Sequence, residues 1–111
     1  MEMQTDEIDG ITVVRLTGRF DIGGAQAVDL HFSVLAGSAQ KLAIDLSRVT
    51  FLASMGVRTL MLSAKTMLRR GASLVVFGAN DNVEKVLRAT GFDEIVGIYP
   101  DVQSAKAALT S

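Results

Sequence analysis

From residue 11 onward the sequence alternates between two patterns: short apolar runs, and longer segments in which apolar residues recur at helical spacing. The first pattern is typical of buried strands and the second of amphipathic helices. Strands separated by helices favour an α/β fold with a mainly parallel sheet. The predicted strands are residues 3–8, 11–17, 41–46, 73–77 and 94–98, and the predicted helices are residues 25–35, 57–70, 81–90 and 102–109.

Turn and cap residues mark the boundaries of several predicted elements. Asp9-Gly10 predicts a tight hairpin between the first two strands, which would then run antiparallel. Ser54 and Asp81 stand just before helical segments, where a side-chain oxygen can accept from an otherwise unpaired amide of the first turn, so both are predicted N-caps.

The composition indicates one packed domain, residues 1–111, because 49% of the residues are hydrophobic. The net charge is −1 with scattered basic residues, so nucleic acid is not an expected partner.

The chain has no cysteine and one histidine, and neither a metal site nor a cofactor is expected. No apolar run approaches the roughly 20 residues that span a bilayer, and the polar N-terminus is no signal peptide. We expect a cytoplasmic protein without membrane insertion.

Ser54 is the candidate functional residue, because it stands at a strand-to-helix junction, where sites of α/β proteins gather. Local sequence favours a helix N-cap as its role. A nucleophile is disfavoured: Leu52 occupies the position where the G-x-S-x-G elbow needs glycine, and His31 is the only histidine available as a base. The third possibility is phosphorylation, since a helix N-terminus can hold the phosphate that results. An enzyme is therefore not predicted.

The helix after Ser54 carries apolar residues on two faces. The core stripe is predicted to be Val57, Leu60, Met61, Ala64 and Leu68. Met55 and Leu62 are seven residues apart, so they share a second face, which points outward. Polar residues frame that face: Arg58, Thr59, Lys65, Thr66 and Arg69. A small docking patch beside Ser54 makes a partner-binding module a better interpretation than an enzyme.

Three stretches of the chain carry a resemblance to a known family. "IDLSRVTFLASMG" followed by "VRTLMLSAKTMLRRGASLVVFG" resembles the STAS domain, in particular that of the bacterial anti-sigma factor antagonists. "VVRLTGRFDIGGAQAV" and "VEKVLRATGFDEIVGIYPDVQSAKAAL" are similar to its earlier and final segments, in the same order. The fold that this resemblance implies is a small curved mixed sheet with about four helices, largely on one side.

The function that the resemblance implies is a partner switch. The unphosphorylated antagonist binds an anti-sigma factor, which is also a serine kinase with an ATP-binding fold of the histidine-kinase type. The kinase phosphorylates the antagonist and the complex separates, and a metal-dependent serine/threonine phosphatase reverses the modification. The alternative within the family is a non-switching STAS subunit of a lipid transport complex or of another regulatory complex.

The resemblance also assigns roles to individual residues. Ser54 matches the phosphoacceptor, Asp21 the acidic residue before the first helix, and Gly56 the glycine that lets a partner backbone come close. Ala53 stands where the family usually has aspartate, and Met55 where it usually has serine or threonine. The expected partner-binding residues are Asp21, Ala53, Met55, Gly56, Arg58 and Leu62.

Overall fold

The computed structural model describes residues 1–110. In this range the backbone forms five strands and four α-helices, which largely follow the predicted order. The strands are β1 (Glu2–Ile8), β2 (Ile11–Phe20), β3 (Lys41–Leu52), β4 (Ser73–Phe77) and β5 (Gly97–Tyr99). The helices are α1 (Ile22–Ser38), α2 (Ser54–Arg69), α3 (Asp81–Ala89) and α4 (Val102–Thr110), and a short 3-10 helix, Phe92–Glu94, precedes β5.

The strands form one mixed sheet in the order β1-β2-β3-β4-β5. β1 is antiparallel to β2, and the predicted hairpin is confirmed: Asp9 and Gly10 between them have φ of 53° and 79°. Positive φ at both positions is what a type I′ turn requires. The remaining neighbours, β2 to β5, pair in parallel.

The strand order explains where the helices lie. Each parallel strand is added on the same side of the preceding one, so right-handed crossovers place every connecting helix on one face. Helices α1, α2 and α3 accordingly share a core with Val14, Ile44 and Val76. Helix α4 follows the last strand, connects no two strands, and packs on the opposite face against Ala43 and Val75. The prediction of helices largely on one side is confirmed.

Three strand boundaries differ from the prediction by three or more residues. β2 continues to Phe20 rather than ending at residue 17. β3 ends at Leu52 rather than at residue 46, because residues 48–52 continue to pair with β2 after a register shift. The last strand begins at Gly97 rather than at residue 94. A 3-10 turn takes up the start of that segment and carries the fully buried side chain of Phe92 into the core.

The core stripe of α2 was predicted wrongly at its end. Leu68 is 52% exposed, whereas the neighbouring Met67 is fully buried. At about 100° per residue, Met67 lies about 20° from Leu60 around the helix axis and Leu68 about 80°. Helical spacing allows either residue to face the core. The orientation of α2 on the sheet places Met67, and not Leu68, against the core.

The cap of α3 is also one residue earlier than predicted. The side chain of Asn80 accepts a hydrogen bond of 2.9 Å from the Val83 amide, and Asp81 is the first helical residue. Asn80 also donates from Nδ2 to the carbonyl of Val49 at 3.3 Å. This second bond to β3 favours Asn80 over Asp81 as the cap, since a carboxylate has no N–H to donate.

Candidate functional site

The candidate site lies at the carboxyl ends of β2 and β3. Phe20 ends β2 and Leu52 ends β3, and these two residues are register partners in the parallel ladder. The Ala53 amide then donates a hydrogen bond of 3.0 Å to the Phe20 carbonyl. Asp21 and Ser54, which follow the two strands, therefore emerge at the same edge of the sheet.

Ser54 is not the N-cap of α2, so this prediction was wrong. Ala53 occupies the cap position with extended backbone (φ −103°, ψ 171°), and it offers no side-chain acceptor. Ser54 is the first helical residue and is exposed. The bond from Ala53 to β2 keeps Ala53 extended, and helical backbone can begin only one residue later. The Ser54 side chain is thus presented to solvent beside first-turn amides that no side chain caps.

Asp21 caps α1 and holds a fixed negative charge at the site. Its Oδ1 accepts from the Gly24 amide at 3.0 Å, and its Oδ2 lies 3.4 Å from Nε of Arg19. The Gly24 amide, and after it Arg19, hold the pKa of Asp21 below its ordinary value of 3.8. Sequence reasoning placed Asp21 before the helix but missed its capping role, because the helix was predicted to begin three residues later, at residue 25.

Arg19 and Phe51 form a pair that no local sequence pattern indicates. They are register partners on β2 and β3, and the Arg19 guanidinium carbon lies 4.3 Å from the centroid of the Phe51 ring. Phe51 is 42% exposed, so this cation–π contact stands at the surface of the site. Finding the pair requires the strand register, which depends on residues more than thirty positions apart.

Gly56 lies in close contact with the end of β2. It is buried, and a Cβ atom there would lie 2.5 Å from the Phe20 carbonyl oxygen and 2.8 Å from the Phe20 ring. The first turn of α2 can pack on the end of β2 only because this side chain is absent. Gly56 is thus required for packing within the chain, and its expected contact with a partner backbone stays a prediction.

A groove of about 460 Å³ lies between α1 and α2, and Met55, the residue after Ser54, is part of its lining. Three expected partner-binding residues, Met55, Arg58 and Leu62, line its α2 side. Leu62 is 52% exposed, as predicted. Met55 is partly buried, because its side chain packs on the core, which corrects the expectation that it is a free surface residue.

The floor of the groove is fixed by a hydrogen bond between the two helices. Thr59 is 6% exposed, and its Oγ1 donates to Oδ1 of Asp29 on α1 at 2.6 Å. Thr59 was expected at the rim of the outward face, and the structure buries it instead. The bond joins α1 to α2 about one helical turn after Ser54, and it therefore fixes the distance between the two walls of the groove.

Two kinds of site are absent from residues 1–110. No group of three or more histidine, cysteine, aspartate or glutamate side chains is arranged to hold a metal ion. Over the same residues, none of the helices combines the length and the apolar character needed to cross a membrane.

Known proteins resemble the chain over nearly its whole length. The profile of the STAS domain matches residues 2–105. BtrV of Bordetella bronchiseptica, named as a candidate anti-sigma factor antagonist, is 26% identical over 109 residues, 97% of this chain and 91% of BtrV. An anti-sigma factor antagonist from Mycobacterium paratuberculosis has a TM-score of 0.91 at 27% identity, covering 99% of this chain and 94% of that one. The STAS domain of a SulP transporter from Vibrio cholerae has a TM-score of 0.72 at 28% identity, covering 95% and 85%. The chain belongs to the STAS domain family.

Proposed function

We propose that this protein is an anti-sigma factor antagonist that works as a partner switch. In its unphosphorylated form it binds an anti-sigma factor that is also a serine kinase, with an ATP-binding fold of the histidine-kinase type. Phosphorylation of Ser54 ends the complex, and a metal-dependent serine/threonine phosphatase restores it. The names of BtrV and of the Mycobacterium paratuberculosis protein support the antagonist assignment.

The observation that carries the proposal is the position of Ser54. It is exposed at the first residue of α2, at the sheet edge it shares with Asp21, and it directly precedes Met55, which lines the groove together with Leu62. A phosphate here adds about −1.5 to −2 charges to a partly apolar contact surface. Desolvating that charge next to the Asp21 carboxylate opposes docking of the partner.

The chemistry of the switch would be supplied by the partners. In the forward step the Ser54 oxygen forms a bond to the γ-phosphorus of ATP, the bond to the ADP oxygen breaks, and the hydroxyl proton passes to a base of the kinase. In the reverse step water attacks the phosphorus, which releases inorganic phosphate and restores the hydroxyl. The protein itself would be a substrate and a ligand, not an enzyme, and its kinase would place it in the cytoplasm.

A second candidate is a non-switching STAS subunit of a lipid transport complex or another regulatory complex. The observation in its favour is the similarity to the transporter STAS domain, which is 28% identical to this chain, compared with 27% for the antagonist. Ala53 also agrees with it, since the carboxylate usual before the acceptor is missing. In this function Ser54 would stay unmodified.

The deciding experiment is phosphorylation of the purified chain by its cognate kinase. The protein is incubated with the kinase, magnesium and ATP, and the site of modification is mapped by mass spectrometry, with Ser54→Ala as the control. The switch predicts one phosphate on Ser54, none on Ser54→Ala, and loss of the complex once the phosphate is present. If the kinase fully phosphorylates a known substrate but leaves Ser54 unmodified, the result would favour the non-switching subunit.

A further inference from the structure

We infer that a phosphate on Ser54 captures the guanidinium of Arg58 on the same helix and withdraws it from the groove between α1 and α2. This inference rests on the proposed phosphorylation of Ser54. It names Arg58 as the residue of this chain that binds the phosphate. Phosphorylation would then weaken partner binding in two ways, by charge repulsion and by loss of the Arg58 cation from the groove.

The spacing of Ser54 and Arg58 on α2 allows their side chains to meet. Ser54 and Arg58 are four positions apart in an unbroken helix, and both are exposed. Side chains at this spacing lie above one another on the same side of a helix. The favourable order places the acidic group on the N-terminal side, as here. Phosphate oxygens also match the paired N–H donors of a guanidinium, which makes arginine the suitable acceptor of such an anion.

Before phosphorylation, the guanidinium of Arg58 is available to a new anion. Among residues 1–110 none of the ion pairs involves Arg58. The other cation at this edge, Arg19, is held by Asp21 and lies over the ring of Phe51. Asp29 lines the same groove as Arg58, but its Oδ1 accepts from Thr59 instead. A new anion at Ser54 would therefore find Arg58 without breaking an existing ion pair of Arg58.

The consequence concerns the surface offered to the partner. In the unphosphorylated protein, Arg58 and Leu62 line the same groove, so a partner can place a carboxylate against the guanidinium and an apolar side chain beside Leu62. Once Arg58 turns toward phosphorylated Ser54, the groove keeps its apolar wall but lacks the cation. A partner carboxylate would then be buried without its counter-ion, which is unfavourable.

The test uses the full chain with phosphoserine incorporated at position 54 by genetic code expansion. The phosphate is titrated with pH at low salt, and ³¹P NMR monitors its ionisation. Capture by Arg58 lowers the second phosphate pKa, so Arg58→Gln should raise it by about 0.3 units or more. Arg58→Lys should keep part of the effect. The matched control is Lys65→Gln. Lys65 was expected to frame the docking face, but it is an exposed cation of the same helix outside the groove lining, so its loss should change the value by less than about 0.1 units.

Equal shifts in Arg58→Gln and Lys65→Gln would overturn the capture, because the phosphate would then sense only the overall charge. The unphosphorylated variants test the groove separately: Arg58→Gln should bind the kinase at least about fivefold more weakly, and Lys65→Gln like the parent. Parental binding by Arg58→Gln would overturn the role of Arg58 in the groove. The titration does not use the kinase, so its result stands apart from a failure of the kinase to modify Ser54.

Discussion

The backbone amide of Ala53 donates a hydrogen bond of 3.0 Å to the carbonyl oxygen of Phe20, and this contact joins the end of β2 to the start of α2. It continues the parallel pairing of Phe20 with Leu52 by one residue beyond β3. Because Ala53 remains extended, α2 begins at Ser54 and has no side-chain cap.

Ala53→Ser should stabilise the protein, because it supplies the capping oxygen that α2 lacks. Serine at an N-cap is worth about 1 kcal/mol over alanine. Urea denaturation should show an increase of roughly 0.5–1 kcal/mol in the free energy of unfolding. The control is Ala27→Ser, an exposed position within α1, where the same change should bring no gain. A destabilised Ala53→Ser would show that the cap position does not have room for a hydroxyl.

Ser54→Ala should leave stability nearly unchanged, since the Ser54 side chain caps nothing. We expect a change of less than about 0.5 kcal/mol, as for other exposed substitutions. A loss of about 1 kcal/mol in the same denaturation measurement would instead show that the hydroxyl does cap the helix in solution.

Gly56→Ala should destabilise the protein by about 2 kcal/mol or more, because the added methyl group meets the backbone of β2 at 2.5 Å. The expected readout is a lower midpoint of chemical denaturation. Gly37→Ala is the matched control: this glycine is also in a helix, but a Cβ there meets nothing within 4 Å. That variant should be neutral or slightly more stable. Similar losses in both variants would rule out the steric explanation.

Asp21→Asn should change how stability depends on pH. The folded protein lowers the pKa of Asp21, chiefly through the Gly24 amide, so the carboxylate contributes stability that is fully present above its ordinary value of 3.8. That contribution is lost as pH falls through the lower pKa of the folded state. Asparagine still caps but does not titrate.

The measurement is the difference in unfolding temperature between the parent and Asp21→Asn, taken between about pH 6 and about pH 2.5. The parent's advantage should shrink as the pH falls. A difference that stays constant over this range would show that the charge of Asp21 contributes nothing to folding.

Leu62→Glu should weaken binding of the kinase by about tenfold or more, because a charge enters the apolar wall of the groove. Its unfolding temperature should stay close to that of the parent, since Leu62 already faces solvent. Leu68→Glu offers a matched control on the same helix: Leu68 is equally exposed, at 52%, and lies outside the groove lining. Isothermal titration calorimetry would detect the difference, and equal affinities of the two variants would refute a role for the groove.

Local sequence patterns were sufficient for the main elements of the fold and for the position of the site. Apolar periodicity over ten or so residues distinguishes strand from helix, and Asp9-Gly10 specifies its own turn. The order of strands and helices implies parallel pairing with right-handed crossovers, and so places Ser54 at the carboxyl edge of the sheet. Each of these conclusions depends on residues that are close together in the chain.

Only the tertiary structure decided what each residue at that edge does. Ala53 rather than Ser54 became the cap because its amide is bound to Phe20, thirty-three positions earlier. Phe20 also lies where a Cβ atom at Gly56 would be, so a side chain there is unfavourable. The bond from Thr59 to Asp29 spans 30 positions and buries a residue expected at the surface. Such contacts depend on how strands and helices pack, and packing brings together atoms whose proximity no local pattern encodes.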